Sequence, residues 1–150
     1  MQKEQTIDHV LRATWQSVAK MYNEQAANHD STMAMAFVLL NIDIENGTPS
    51  TALGPLMGME PTSLSRILKS MEEKELIYRE KNPEDGRGIL IKITEFGLEK
   101  RNISKEHVFK FNETVRRHIS KEKINHFFEV TQTINKLIND KTIFNNKPTK

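Results

Sequence analysis

The chain has 150 residues and no cysteine, so it is long enough for one domain and excludes disulfides, thiolate metal sites and cysteine nucleophiles. It has no recognisable secretory signal and no apolar run near the roughly 18 residues of a membrane span, and we expect a cytoplasmic protein. The net charge of +2 divides into −4 over residues 1–60 and +6 over residues 61–150, and a basic C-terminal part is compatible with a polyanionic partner.

Two helical segments open the chain. Apolar residues recur at helical spacing from Ile7 to about Asn28. Ser31 is the predicted N-cap of a second helix over "TMAMAFVLLNIDI", residues 32–44, which is apolar nearly all round and therefore predicted to be buried. The stretch "ENGTPS", residues 45–50, then breaks the chain.

The next segment predicts a helix-turn-helix. Pro55 cannot donate a backbone hydrogen bond and keeps the helix of residues 50–58 short, and Gly58 suits its left-handed stop. Pro61 suits the first position of the following helix, whose buried face is predicted to carry five apolar residues. These are Leu64, Ile67, Leu68, Met71 and Leu76. Two helices within about 25 residues have the spacing of a helix-turn-helix.

A β-hairpin is predicted directly after that motif. "LIYREK", residues 76–81, and "ILIKIT", residues 89–94, read as strands around the turn "NPEDGRG", with Ile89, Ile91 and Ile93 on one face. A hairpin in this position is a wing. Thr94 is the predicted cap of a long helix, which breaks at Ser120 before a last amphipathic helix.

This order of elements resembles the MarR family of bacterial winged-helix transcription regulators, most closely from Leu53 to Gly97. Within that stretch, "PEDGRGILIKITEFG" is similar to the family's wing signature: an Asp two residues before an Arg, then apolar residues, Thr, and a Gly three further on.

Two features depart from the family pattern. Gly54–Pro55 replaces ordinary helix formers, and Glu75 stands where a glycine usually ends the recognition helix. A left-handed glutamate costs about 1 kcal/mol, so we expect this helix to end differently.

The resemblance implies a mainly α fold (α+β) in a single domain over residues 1–150. A winged helix-turn-helix lobe at about 31–94 is expected between dimerisation helices at about 5–28 and 95–140. The apolar share of 37% is lean for a compact monomer, and the long apolar stripes of the outer helices need a partner surface. We therefore expect a homodimer bound to double-stranded DNA at a near-palindromic operator.

The resemblance and the helix geometry together give a set of DNA-binding residues. The first turns of the recognition helix face base edges or phosphates, and its N-terminus offers free N–H groups. Arg87 is expected in the minor groove, with Gly86 and Gly88 allowing a sharp turn and Asp85 holding the guanidinium. The predicted set is Pro61, Thr62, Ser63, Ser65, Arg66, Lys69, Arg79, Asp85, Gly86 and Arg87.

Alternatives remain for several of these residues. Arg79 reads equally well as a solvated strand edge, and Asp85–Arg87 as a plain turn with an exposed ion pair worth at most about 1 kcal/mol. Residues 60–92 hold seven basic and seven acidic side chains, so they produce no strong basic field.

Many family members release DNA when a small aromatic or anionic ligand binds. The candidate ligand-binding residues here are Trp15, Tyr22, Met33 and Phe37, with Met35 beside them, although core packing is the better interpretation of each. No cofactor is predicted. Only His126, three residues before Glu129, suggests a metal, and we expect none.

Two other function classes compete with a DNA-binding regulator. An enzyme is not expected, because the chain lacks a glycine-rich phosphate loop, a nucleophile motif and a recognisable carboxylate pair. The alternative is a winged-helix module for protein contacts without sequence-specific DNA binding.

Overall fold

The computed structural model describes residues 5–145, so the first four and last five residues of the predicted domain lie outside the described part. The chain forms two compact units, residues 1–108 and residues 109–150. Its elements are α1 (Ile7–Ala27), α2 (Met33–Asn41), β1 (Thr48–Pro49), α3 (Ser50–Met57), α4 (Pro61–Glu73), β2 (Ile77–Lys81), β3 (Ile89–Ile93), α5 (Glu95–His118) and α6 (Lys121–Asn139). This mainly helical fold with a small antiparallel sheet agrees with the prediction. Within the described chain, no helix combines the length and apolarity that a membrane span needs.

The core of the first unit lies between α2, α3, α4 and the sheet. Its most completely buried side chains are Val38, Leu39, Leu53, Met71 and Ile91. The helix α2 has no exposed residue between Met33 and Leu40, which confirms that its apolar run marks a buried helix. The predicted inner face of α4 is confirmed as well, since Leu64, Leu68 and Met71 are buried.

The start of α2 differs from the prediction by one residue. Thr32, not Ser31, is the N-cap, because its hydroxyl oxygen accepts a hydrogen bond from the Met35 N–H at 3.2 Å. The Ser31 hydroxyl is instead 3.4 Å from the Thr32 carbonyl oxygen. The helix also ends at Asn41 rather than Ile44, because Ile42 adopts an extended conformation.

The sheet contains a strand that the sequence pattern did not reveal. Its order is β1-β3-β2, with Thr48 opposite Ile91 and Pro49 opposite Leu90. The stretch predicted only as a break therefore also pairs with the wing. A strand of two residues is too short to show alternation, so only its partner defines it.

The hairpin itself forms as predicted. The strands β2 and β3 are antiparallel, with Ile77 opposite Ile93 and Lys81 opposite Ile89. Ile89, Ile91 and Ile93 all pack into or against the core, which confirms their shared face.

The helix-turn-helix also matches its local signals. Pro55 lies inside the short α3, Gly58 follows it in the left-handed region at φ +62°, and Pro61 occupies the first turn of α4. These residues position α4 immediately after a tight turn.

The end of α4 contradicts the expectation for Glu75, which does take the left-handed conformation at φ +59°. The Leu76 N–H donates to the Met71 carbonyl at 2.9 Å, and the Glu75 N–H donates to the Glu72 carbonyl at 2.9 Å. These two bonds form a Schellman motif, usually closed by glycine. Burial of both Leu76 and Met71 supplies the hydrophobic contact that favours this ending over the strain at Glu75.

The wing is anchored to α4 and α5 through Thr94 and Gly97. The Thr94 hydroxyl donates to the Glu75 carbonyl at 2.6 Å and accepts from the Gly97 N–H at 2.9 Å, which confirms Thr94 as the cap of α5. The Thr94 N–H donates to the Leu76 carbonyl at 3.2 Å. A Cβ at Gly97 would collide with that same carbonyl oxygen, so α5 can begin here only with glycine at this position.

The second unit contains the predicted break and the last helix. The hydroxyl of Ser120 accepts a hydrogen bond from the Lys123 N–H at 3.3 Å and begins α6. Ile124 is buried, whereas Phe127, Phe128, Leu137 and Ile138 of α6 are exposed. This helix therefore presents a largely uncovered apolar surface.

The Schellman ending gives a stability prediction. Replacing Glu75 by glycine should raise the free energy of unfolding by about 1 kcal/mol, because glycine adopts a left-handed conformation without a Cβ penalty. Urea denaturation at one fixed protein concentration would measure the change. Lys69→Gly is the matched control: it places glycine at an exposed position inside the same helix and should lower the stability by about 1 kcal/mol. Equal destabilisation by both variants would contradict the left-handed ending.

Candidate nucleic-acid interface

The helix α4 presents a continuous polar face. Its exposed side chains include all the predicted recognition-helix contacts: Pro61, Thr62, Ser63, Ser65, Arg66 and Lys69. The side chain of Glu60 forms no cap, and the N–H groups of Thr62 and Ser63 have no acceptor among residues 5–145, so they are open to a hydrogen-bond acceptor. The positive end of the helix dipole lies at the same place and favours an anion there.

A groove runs beside this face. Pro61 and Ser65 of α4 line it together with Arg79 of β2 and residues of α3, and its volume is about 520 Å³. The fold thus brings the start of α4 and the base of the wing to one surface, although 14 residues separate Ser65 from Arg79 in the chain.

Arg79 is held in an ion pair. Its Nε lies 3.0 Å from Oε1 of Glu72, and the two side chains are 39% and 33% exposed. Arg79 stands opposite Ile91 in the register, so its side chain leaves the sheet on the face that packs against α4. A simple solvated strand edge therefore does not describe this residue.

The wing tip is shaped by its own side chains. Oδ1 of Asp85 accepts a hydrogen bond from the backbone N–H of Arg87 at 3.0 Å, and Oδ1 of Asn82 accepts one from the N–H of Glu84 at 3.0 Å. The Gly88 N–H donates to the Asp85 carbonyl at 2.9 Å. These contacts order the tip backbone.

Asp85 therefore has a different role from the predicted one. Its carboxylate binds the Arg87 backbone, and no ion pair joins it to the Arg87 guanidinium among residues 5–145. The Arg87 guanidinium is therefore available to another partner at the tip, because Asp85 binds the loop backbone rather than this charged group.

The predicted role of the two tip glycines is wrong. Neither Gly86 nor Gly88 lies in the left-handed region. A Cβ at Gly86 would meet nothing within 4 Å, and one at Gly88 would make only ordinary contacts of 3.4 Å or more. The turn is closed by side chains of Asn82 and Asp85, which removes the need for glycine.

Several of the acidic and basic residues around the wing form specific ion pairs with one another or with Asp30. Besides Glu72–Arg79, Lys92 lies 2.9 Å from Glu80, and Lys74 lies 3.1 Å from Asp30. The hydrogen bond that the Lys92 ammonium donates to the Glu80 carboxylate raises the pKa of Lys92. Of the seven basic residues at 60–92, four have no ion-pair partner within the described chain: Arg66, Lys69, Lys81 and Arg87. They lie on α4 and on the hairpin.

A small cavity lies between α1, α2 and the first turns of α5. Tyr22, Met33 and Phe37 line it, and its volume is about 30 Å³, enough for about one or two water molecules. The Tyr22 and Phe37 rings meet edge to face at 5.8 Å, and burial raises the pKa of Tyr22. Three of the four predicted ligand-binding residues therefore share one cavity.

Trp15 does not belong to this cavity. It is 53% exposed on α1 and does not line the space. Met35 is buried in the core. A position on the helical stripe was not sufficient to place a side chain in a cavity, because the apolar face of α1 extends beyond the part covered by α2.

The cavity has polar residues that sequence reasoning missed. The rings of His29 and His107 lie 5.7 Å apart, and the Lys100 ammonium lies 3.4 Å from the His29 carbonyl oxygen. All three line the cavity. No local spacing could have indicated them, since 71 residues separate His29 from Lys100. No group of three or more potential metal-ligating side chains occurs in the described part of the chain.

Basic side chains link the α1–α2 corner to the end of α4, and the end of α2 to α5. The Lys74 ammonium, just after α4, lies 3.0 Å from the Asp30 carbonyl oxygen and 3.1 Å from its carboxylate. Arg101 of α5 donates from Nε to the Leu39 carbonyl at 3.1 Å, which satisfies an acceptor at the end of α2. The loop between α1 and α2, which contributes His29 and Ser31 to the cavity wall, therefore also contacts Lys74 at the end of α4.

Comparisons with known proteins agree with this architecture. Residues 32–89 match the model of the MarR family. Over 89 residues the chain is 29% identical to the HTH-type transcriptional regulator SarZ of Staphylococcus haemolyticus (strain JCSC1435), a match that covers 59% of this chain and 60% of that relative.

Two solved structures share the fold across most of the chain. The MepR–DNA complex of S. aureus matches with a TM-score of 0.80 and 18% identity, over 88% of this chain and 98% of that one. CouR from Rhodococcus jostii RHA1, bound to p-coumaroyl-CoA, matches with a TM-score of 0.79 and 21% identity, over 89% and 94% of the two chains.

Proposed function

We propose that the chain is a member of the MarR family, whose model its residues 32–89 match, and that it is a cytoplasmic transcriptional regulator that binds DNA as a homodimer and acts as a repressor. The observation that carries this proposal is the exposed polar face of α4 beside a hairpin whose tip holds Arg87, a cation without an ion-pair partner in the described chain. The DNA in the similar MepR complex supports it.

The dimensions of α4 suit the major groove. An α-helix with its side chains is about 10–12 Å across, and the groove is about 12 Å wide. With the N-terminus of α4 inserted, Thr62, Ser63 and Ser65 can exchange hydrogen bonds with base edges. Arg66 and Lys69 can bind bases or phosphates, and the open N–H groups of the first turn can bind a phosphate.

The wing extends the interface along the duplex. Narrow A·T-rich minor grooves concentrate negative potential and attract arginine. Arg87 suits this role, since Asp85 orders the backbone beneath it and the guanidinium forms no ion pair within residues 5–145.

Homodimer formation is supported by apolar surface that this single chain leaves exposed. On α1, Ile7, Val10, Leu11 and Trp15 are each 40% exposed or more. On α6, four large apolar residues are exposed in the same way: Phe127, Phe128, Leu137 and Ile138. Covering these surfaces with a second copy would place two recognition helices about one helical turn of DNA apart, which requires a near-palindromic operator.

A small aromatic or anionic effector is proposed to bind in the cavity of Tyr22, Met33 and Phe37. Two features of the cavity support this class: an aromatic wall and the Lys100 ammonium at its edge. A volume of about 30 Å³ cannot hold an aromatic ring without side-chain movement, so entry would displace the contacts at the α1–α2 corner. The ligand-bound structure of CouR also supports an effector.

The first prediction for this function concerns Arg87. Arg87→Ala should weaken binding to the selected operator by about 1–3 kcal/mol, because it removes a cation from the minor groove, while the melting temperature remains unchanged. Fluorescence anisotropy over a range of salt concentrations would measure affinity and counterion release together. The control Arg12→Ala removes an equal charge from the exposed surface of α1 and should have little effect. Salt-independent binding, or equal affinity of both variants, would favour the protein-interaction alternative.

The second prediction concerns the dimer. Leu11→Asp should raise the dimer dissociation constant by at least about 100-fold, since it removes about 1.5–3 kcal/mol of burial from each protomer. Sedimentation analysis measures the constant, and circular dichroism should show unchanged helix content. Gln16→Asp, on the opposite side of α1, is the charge-matched control and should leave the dimer intact. A dimer of unchanged affinity in both variants would exclude α1 as an interface.

The third prediction concerns the effector. Benzoate, as the smallest probe in a series of aromatic carboxylates, should release the labelled operator from the unmodified protein. Ala36→Leu fills the cavity that Ala36 lines and should abolish this release without changing operator affinity. Ala13→Leu, exposed on α1, should respond normally. Equal responses of all three proteins, or no response to any carboxylate in the series, would contradict the proposed cavity or ligand class.

A further inference from the structure

We propose that Glu72, an acidic residue of the recognition helix, is a positioning residue for DNA binding. It holds the Arg79 guanidinium at the seam between α4 and the wing, where the remaining N–H groups of Arg79 bind a backbone phosphate. This inference rests on the proposed DNA-binding function. It assigns a favourable role to a carboxylate, although simple electrostatics predicts that a negative charge weakens DNA binding.

The fold creates the seam at which the two side chains meet. Arg79 is opposite Ile91 on β3, and Ile91 belongs to the core that Leu64 and Leu68 of α4 also form. Arg79 is therefore directed toward α4. Ser65, Leu68 and Glu72 follow one another along one side of that helix at spacings of three and four residues, and Ser65, Leu68 and Arg79 line the same groove.

The ion pair leaves most of the guanidinium free. Arginine has five N–H donors in a planar fork, and the bond to Glu72 uses Nε. No other hydrogen bond of this side chain is present among the residues that the structure describes, so both Nη groups remain open in a groove shared with Pro61 and Ser65. A phosphate that follows the N-terminus of α4 passes beside this groove and suits a two-donor contact.

Two effects of Glu72 on DNA affinity oppose each other. Its negative charge repels phosphates, but a guanidinium at 3.0 Å neutralises it locally, and salt screens exposed charges over about 8–10 Å. Its hydrogen bond also restricts a long, flexible arginine to one orientation, which lowers the entropy cost of the phosphate contact. If positioning exceeds repulsion, removing this acid weakens binding to a polyanion.

The neighbouring Glu73 provides a matched control. It carries the same charge on the same helix, and it forms no ion pair within residues 5–145. Removing its charge tests electrostatic repulsion alone. Glu72→Ala and Glu73→Ala should therefore change the DNA affinity in different ways: loss of positioning weakens binding, whereas loss of repulsion strengthens it.

The experiment measures binding of the full-length protein to a fluorescein-labelled duplex that the unmodified protein selects from a random-sequence library. Glu72→Ala should weaken binding about 3- to 10-fold, and Glu73→Ala should leave it unchanged or tighten it. Arg79→Ala should weaken binding at least as much as Glu72→Ala and reduce the slope of log affinity against log salt by about 1. The double variant should bind no more weakly than Arg79→Ala, because the carboxylate acts through the arginine.

The salt slope distinguishes positioning from a purely structural role. Glu72→Ala should reduce the slope toward that of Arg79→Ala while its melting temperature changes little, as for an exposed ion pair. Tighter binding by both glutamate variants, additive losses in the double variant, or an unchanged salt slope would each overturn the inference while leaving the DNA-binding proposal standing. Failure of the unmodified protein to enrich any duplex would overturn the proposed function, and this inference with it.

Discussion

The arrangement of α4, the wing and α5 depends on the peptide of Leu76. Its N–H completes the Schellman ending of α4, and its carbonyl accepts the Thr94 N–H at 3.2 Å. Thr94 also begins α5 by accepting the Gly97 N–H, and Gly97 is too close to the Leu76 carbonyl oxygen for any side chain. Three elements thus meet at one residue, which holds the recognition helix and the hairpin in a fixed relation and explains the strain tolerated at Glu75.

Under the proposed function, the acidic residues around α4 and the wing are not simply obstacles to a polyanion. Glu72 and Glu80 bind cations of the wing, and Asp85 binds wing backbone. Such local pairs neutralise negative charge and order the basic side chains, while Arg66, Lys69 and Arg87 keep their charges unpaired in the described chain. Under the proposed function, the affinity for DNA depends on where the individual charges are held rather than on the nearly balanced total charge of this region.

Under the proposed function, the contacts of Lys74 and Lys100 connect effector binding to DNA binding. Both ammonium groups bind carbonyl oxygens of the corner after α1; Lys74 follows the recognition helix, and Lys100 lines the cavity. A ligand that moves this corner would change the support for the end of α4. Because these polar contacts are partly exposed, each is worth little alone, and such a coupling would involve small free energies spread over several bonds.

The sequence by itself determined the helices, the hairpin, the caps at Thr94 and Ser120, the buried face of α4 and its exposed polar face. These features depend on periodicity and on hydrogen bonds between residues within about four positions, so they are legible in the chain. The tertiary structure decided the pairing of β1 with β3, the left-handed Glu75, the exposure of Trp15, the carboxylate partners of Arg79 and Lys92, and the histidines and lysine of the cavity. Those outcomes depend on which distant surfaces bury each other, and packing of that kind overrides local preference without leaving a local pattern.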